Sequence, residues 1–114
     1  MRNIEKIHDL GTEELRRLIE NGETFVLYVR SEKDYEKIKE IFDVDVVFPE
    51  LARSFGDRIA FYRCDIDRAQ PLMAELGIYF APVVLLFKDG KLKGRLEGIK
   101  SWAEYNRAVG ELIC

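Results

Sequence analysis

Histidine, cysteine and side-chain amides are scarce in this 114-residue chain, and each shortage removes a class of function. The single histidine, His8, stands in no partner pattern, so no Ser-His-Asp or Cys-His set can be drawn around it. The two cysteines, Cys64 and Cys114, form no C-x-x-C, which excludes a zinc knuckle and a local dithiol redox motif. A metal site would have to rest on carboxylates, and their spacing suggests none. No glycine-rich phosphate loop follows a strand. The sequence therefore points to no catalytic residue, no metal and no cofactor. Basic charge is not in excess either: the net charge of −3 argues against nucleic acid as a partner. No apolar run approaches membrane-spanning length, and the start, Met-Arg-Asn-Ile-Glu-Lys-Ile-His, has no signal-peptide core, so membrane insertion is not expected and a cytoplasmic location is. Only Asn3, Asn21, Gln70 and Asn106 carry side-chain amides, which beside many Glu, Lys and Arg is the composition of a heat-adapted protein.

What the chain does contain is an ordinary globular balance, 47% hydrophobic and 34% charged, and room for one domain over residues 1–114. Thr12 with Glu13 and Glu14, followed by Leu15, Leu18 and Ile19, predicts a capped helix that Gly22 ends. Thr24 to Val29 predicts a strand buried on both faces. Ser31 caps a predicted helix with Tyr35, Ile38, Ile41 and Phe42 on one face; a loop then enters a second helix from about Val47 to Phe55, with Pro49 in its first turn. Arg58 to Ile66 predicts another strand, and Asp67 the cap of a helix from about Arg68 to Leu76. Pro82 to Lys88 and Lys91 to Glu97, joined at Asp89-Gly90, read as a hairpin. Ser101 caps a last helix with Trp102, Tyr105, Val109 and Leu112 on its apolar face, Trp102 anchoring it to the sheet. The order predicts an α/β fold: a central mixed sheet with helices on both faces, ending in a hairpin plus helix.

From Arg58 onward the chain resembles thioredoxins, in Cys64-Asp-Ile-Asp67, Gly77-Ile78, Pro82 ahead of Val-Val-Leu-Leu-Phe, Lys88-Asp-Gly and Gly98. The resemblance implies a thioredoxin-like fold in which Pro82 is cis, so that the backbone of Ala81 can pair with an extended peptide. Where that family carries C-x-x-C, this chain has Arg30-Ser-Glu-Lys-Asp-Tyr35, and Leu27 or a neighbour stands where the family places a buried Asp. Dithiol exchange is therefore not expected. The motif Gly98-Ile-Lys-Ser-Trp-Ala-Glu104, preceded by Gly94-Arg-Leu-Glu, resembles the thioredoxin-like hydrogenase-expression proteins of the HyaE/HupG type, which also lack C-x-x-C and have a comparable acidic and apolar stretch to Lys33–Phe55. This resemblance implies a maturation chaperone that recognises the twin-arginine signal peptide of a hydrogenase small subunit.

A basic ligand needs acids. From Glu32 to Glu50 there are seven (Glu32, Asp34, Glu36, Glu40, Asp43, Asp45, Glu50) against Lys33, Lys37 and Lys39, a local net of −4 that leaves +1 for the rest of the chain. A solvated helix face would explain such a run equally well as a partner surface. The candidate peptide-binding residues are Tyr79, Phe80, Ala81 and Pro82 with Glu32, Asp34, Glu36, Asp43 and Asp45; inherited scaffold geometry is the alternative for Pro82. Two rival functions remain, a monothiol redox protein using Cys64 or Cys114, and a structural or regulatory module of another assembly.

Overall fold

The computed structural model describes residues 7–114. Its sheet has five strands in the order β1-β3-β2-β4-β5: β1 (His8–Asp9), β2 (Phe25–Arg30), β3 (Ala60–Asp65), β4 (Val83–Lys88) and β5 (Lys91–Glu97). β1 and β2 run parallel to β3, while β4 is antiparallel to both β2 and β5. This is the mixed sheet of a thioredoxin-like fold. Because successive strand residues face opposite ways, Phe25, Leu27 and Val29 of β2 enter one core and Val26 and Tyr28 the other. α1 (Thr12–Glu20) and α3 (Leu72–Glu75) close the first core with Leu15, Leu72 and Met73. α2 (Lys39–Phe55) and α4 (Trp102–Ile113) close the second.

The largest departure from expectation lies between Ser31 and Phe55. The expected helix from Ser31 does not form: Ser31 Oγ does accept the Asp34 N–H (3.1 Å), but the chain runs in turns until one 17-residue helix, α2, begins at Lys39 and passes through Pro49. Ile41, Val44, Phe48, Leu51, Ala52 and Phe55 form an unbroken buried stripe at helical spacing across the proline. Burying the five large side chains of that stripe contributes on the order of 10 kcal/mol, against about 3 kcal/mol for an interior proline. Tertiary burial wins.

Smaller departures lie elsewhere, two of them where a short polar side chain serves backbone groups other than those of the expected cap. Gly11, not Thr12, is the N-cap of α1, and Glu14 Oε1 accepts its N–H at 2.9 Å. The Thr12 hydroxyl lies within reach of the carbonyls of Gln70 (3.1 Å) and Arg68 (3.3 Å), to which it donates. Asp65 rather than Asp67 caps the segment after β3, which stays in turns up to the four-residue α3. Trp102 is 47% exposed and anchors nothing; Tyr105, Val109 and Leu112 hold α4 down. The strand β1 was not anticipated.

The β4–β5 turn shows a requirement for glycine. Asp89 and Gly90 both have positive φ (54° and 79°), and a Cβ on Gly90 would collide with the Ile19 carbonyl oxygen and lie 3.1 Å from Gly22 Cα. Both obstacles are backbone, so neither can swing away. Gly90→Ala is expected to lose about 2 kcal/mol or more of stability in urea unfolding, whereas Gly110→Ala, in mid-helix with open space around its Cα, is expected to gain about 0.5–1 kcal/mol. Equal effects of the two would refute this reading of the turn.

Candidate functional site

The site lies where the parallel strands β2 and β3 end, the edge at which open α/β sheets present ligand-binding loops. One side chain organises both loops. Asp65 Oδ1 accepts the N–H of Glu32 (2.7 Å), and its Oδ2 accepts those of Asp67 (3.0 Å) and Arg68 (3.1 Å). The carbonyl of Arg30 takes the Ile66 N–H at 2.8 Å. Between these loops and the segment leading into β4 opens a groove of about 290 Å³, lined by Ser31, Lys33, Asp34, Ile38, Asp67, Gln70 and Tyr79 to Ala81 among others.

Tyr79 is 75% exposed and Phe80 52%, unusual for adjacent aromatics, while Ala81 is buried at the groove floor. Among the described residues no backbone partner is seen for the N–H or C=O of Tyr79, Phe80 or Ala81. The Ala81–Pro82 peptide is cis, as the resemblance implied; Gln70–Pro71, which carried no such signal, is cis as well. The Pro82 carbonyl accepts the Gly98 N–H (2.9 Å), which ties this entry to the end of β5.

The nine candidate residues do not form one cluster. Asp34 joins Tyr79, Phe80 and Ala81 in the groove. Glu32 lies on the far side of the same loop, its carboxylate 3.5 Å from Arg30, and Glu36 sits exposed in the turns before α2. Asp43 pairs with Lys39 at 3.4 Å one helical turn away. Asp45 is fully engaged: it accepts from Arg30 Nε (3.0 Å) and Nη2 (2.9 Å) and from the Tyr28 hydroxyl (2.7 Å). Burial first, then the Asp45 carboxylate, keeps the Tyr28 hydroxyl protonated well above its ordinary range. The Asp45 hydrogen bonds hold Arg30 charged. Asp67, which sequence reasoning spent as a helix cap, is instead a groove acid; its place two residues beyond a parallel strand was the available signal.

Beside the groove a second, charged cavity of about 400 Å³ is lined by Asp9, Arg30, Glu32, Asp45, Arg63, Asp65 and Arg68. Arg63 grips Asp9 with Nε (2.7 Å) and Nη2 (2.9 Å), and this hydrogen bonding holds the Asp9 carboxyl below its usual range. No group of three or more His, Cys, Asp or Glu that could hold a metal ion occurs among the described residues. No helix among them is long and apolar enough to cross a membrane.

The thiols are placed apart from all of this. Cys114 is exposed at the end of α4, and Leu27 is buried in β2 where thioredoxins were expected to carry an acid. Cys64 is buried in β3, and desolvation, reinforced by Asp65 and Asp9, pushes its thiol from the ordinary 9.0 up to about 12. A maleimide is therefore expected to modify Cys114 but not Cys64 in the folded protein, and both in urea; fast modification of Cys64 in the folded state would contradict its burial. The raised value also fixes a pH dependence. Stability held by the neutral Cys64 thiol is complete below pH 9 and is lost as pH rises from 9 toward 12. Relative to Cys64→Ala, the wild type should lose about 1.4 kcal/mol per pH unit in that window.

Comparison with known proteins agrees with this geometry. The family model for hydrogenase-1 expression protein HyaE matches residues 2–105. A protein of Aquifex aeolicus (strain VF5) is 54% identical over 115 residues, covering 100% of this chain and 95% of its own. Among solved structures, an N21Q mutant thioredoxin from Halobacterium salinarum NRC-1 superposes with a TM-score of 0.79 at 16% identity, covering 100% of this chain and 96% of that one. Oxidised mitochondrial thioredoxin 3 from Saccharomyces cerevisiae gives 0.70 at 21% identity, covering 93% and 92%. The structural likenesses fix the fold, and the match along nearly the whole sequence fixes the family: this chain belongs to the hydrogenase-1 expression protein HyaE family.

Proposed function

We propose that this protein acts by binding rather than by catalysis, as a chaperone in hydrogenase maturation that holds the twin-arginine signal peptide of the small subunit in the cytoplasm before export. The observation that carries the reading is the groove itself. It combines unpaired backbone at Tyr79–Ala81, two exposed aromatic rings and the carboxylates of Asp34 and Asp67, which outnumber the one cation of its lining, Lys33. Extended peptides dock by adding backbone hydrogen bonds to such unpaired chain, and arginine side chains are recognised by carboxylates in fork geometry and by stacking on aromatic faces. Glu36 is exposed beyond the groove, whereas Glu32, Asp43 and Asp45 already have cationic partners in Arg30, Lys39 and Arg30 and support rather than bind. The loop after β2 offers no thiol, and the monothiol alternative through Cys64 would need access that its burial denies.

Calorimetric titration with a synthetic twin-arginine peptide tests the proposal. The peptide is expected to bind about tenfold more tightly than its twin-lysine variant, since lysine cannot form the fork, and to weaken as salt is raised. Asp34→Asn should reduce affinity about tenfold, the order expected for a lost charge-assisted hydrogen bond. Equal or negligible binding of both peptides to the wild type would remove the idea.

A further inference from the structure

The carboxylate of Asp65 stands beside the groove without lining it. Its side chain borders the charged cavity, and it spends both oxygens on backbone N–H groups, those of Glu32, Asp67 and Arg68. Two of these amides belong to the segments that bring acids into the groove: Glu32 is two residues before Asp34, and Asp67 is itself a groove acid. Each segment has ties of its own, Asp34 N–H to Ser31 Oγ (3.1 Å) and Ala69 N–H to the Asp65 carbonyl (3.1 Å). Among the described residues, however, only the Asp65 side chain hydrogen-bonds both segments.

The groove acids depend on that tie. Neither the Asp34 nor the Asp67 carboxylate has a hydrogen-bond or ion-pair partner among the described residues, so the backbone that carries them sets their positions. Charge alone selects little here, since two acids face the cation of Lys33 in the same lining. Arginine and lysine carry the same charge in any case, and only geometry separates them. A guanidinium fork needs a carboxylate at a fixed distance and orientation, whereas an ammonium is a compact charge on a flexible stem that follows a displaced carboxylate.

We infer that Asp65 is the positioning residue by which the groove tells arginine from lysine, acting through the carboxylates of Asp34 and Asp67. This rests on the peptide-binding reading above and goes beyond it, in assigning selectivity to a side chain outside the groove. An ionised carboxylate is suited to the task because both of its oxygens accept. Asparagine has the same shape but one accepting oxygen, and turns an NH2 group toward the N–H on its other side. Whichever way the amide is turned, one of the two segments is released.

Calorimetric titration of Asp65→Asn with the twin-arginine peptide and its twin-lysine variant tests this. The arginine peptide is expected to bind about tenfold more weakly than to wild type and the lysine peptide within about twofold, so that the preference disappears. Asp65→Ser, whose single hydroxyl oxygen cannot hold both segments, should do the same and replaces the asparagine variant if that does not fold. Glu32→Gln controls for charge: it removes an acid at the same edge, 69% exposed, and leaves the Glu32 N–H tied to Asp65. It should weaken both peptides alike and keep the preference. A preference that survives in the Asp65 variants, or that Glu32→Gln abolishes as well, overturns the inference and leaves the groove reading standing. In wild type the amides of Glu32, Asp67 and Arg68 should exchange hydrogen at least about tenfold more slowly than in an unfolded chain; unprotected exchange there overturns the inference too. Equal or negligible binding of both peptides to wild type removes the groove reading and this inference with it.

Discussion

The interaction on which the functional end of the molecule depends is the one Asp45 makes with Arg30 and Tyr28. It joins the last residue of β2, a buried tyrosine in the middle of that strand and the second turn of α2 in a single network. Arg30 and Asp45 are largely withdrawn from water, so removing one partner would strand the other; the cost of such a break is about 3–5 kcal/mol. The network also fixes the rotation of α2. With Asp45 turned toward the end of β2, the stripe from Ile41 to Phe55 must face the sheet and Phe42 and Val46 must face outward. Arg30 thus occupies the place from which a thioredoxin would launch its dithiol loop, and uses it to orient a helix.

What remains of the scaffold is a frame for loops. Asp65 binds three backbone N–H groups from the two loops that follow β2 and β3, so Asp34 and Asp67 on those loops are held in place by backbone hydrogen bonds. Asp34 and Asp67 consequently meet in one groove although 33 positions separate them in the sequence. The thiol nearest this edge, Cys64, points into the core beneath it. The groove beside this edge is thus shaped by elements of the thioredoxin-like fold, while the loop after β2 carries no cysteine and Cys64 is buried.

Legibility in the sequence followed the range of the interaction involved. The hairpin of β4 and β5 was readable because Asp89-Gly90 and the flanking pattern encode it locally, and Ser101 was readable because Glu104 completes its capping box three residues on. Cys64 was readable as a buried thiol from the apolar strand around it. α2 was not, because the penalty at Pro49 is local while the burial that outweighs it is tertiary. The cap expected at Thr12 fails for a related reason, since its hydroxyl donates to carbonyls of another loop, which no local window contains; Asp65 displaces Asp67 as the cap because its two oxygens reach both the next N–H groups and that of Glu32 in another loop. Trp102 fits the helical period of α4 but is its first residue and lies exposed. Of the candidate acids, only the fold shows that Asp34 lies in the groove with Tyr79 to Ala81, that Asp45 is consumed by Arg30 and that Asp67 lines the same groove.

The sheet's own edges explain why an extended ligand would choose the groove. β1 is two residues long, too short to template a partner strand. β5 is longer but exposes Lys91, Lys93, Arg95 and Glu97, and its register with β4 shifts between Leu86 and Phe87, a bulge that twists the edge away from flat pairing. Both are the usual defences against unwanted strand addition, and on β5 they would also repel a basic peptide. The unpaired backbone from Tyr79 to Ala81 has neither defence, and Asp34 and Asp67 beside it outnumber Lys33. On the proposed reading, an arginine-bearing chain would be disfavoured along β5 by Lys91, Lys93 and Arg95 and admitted at the groove by Asp34 and Asp67.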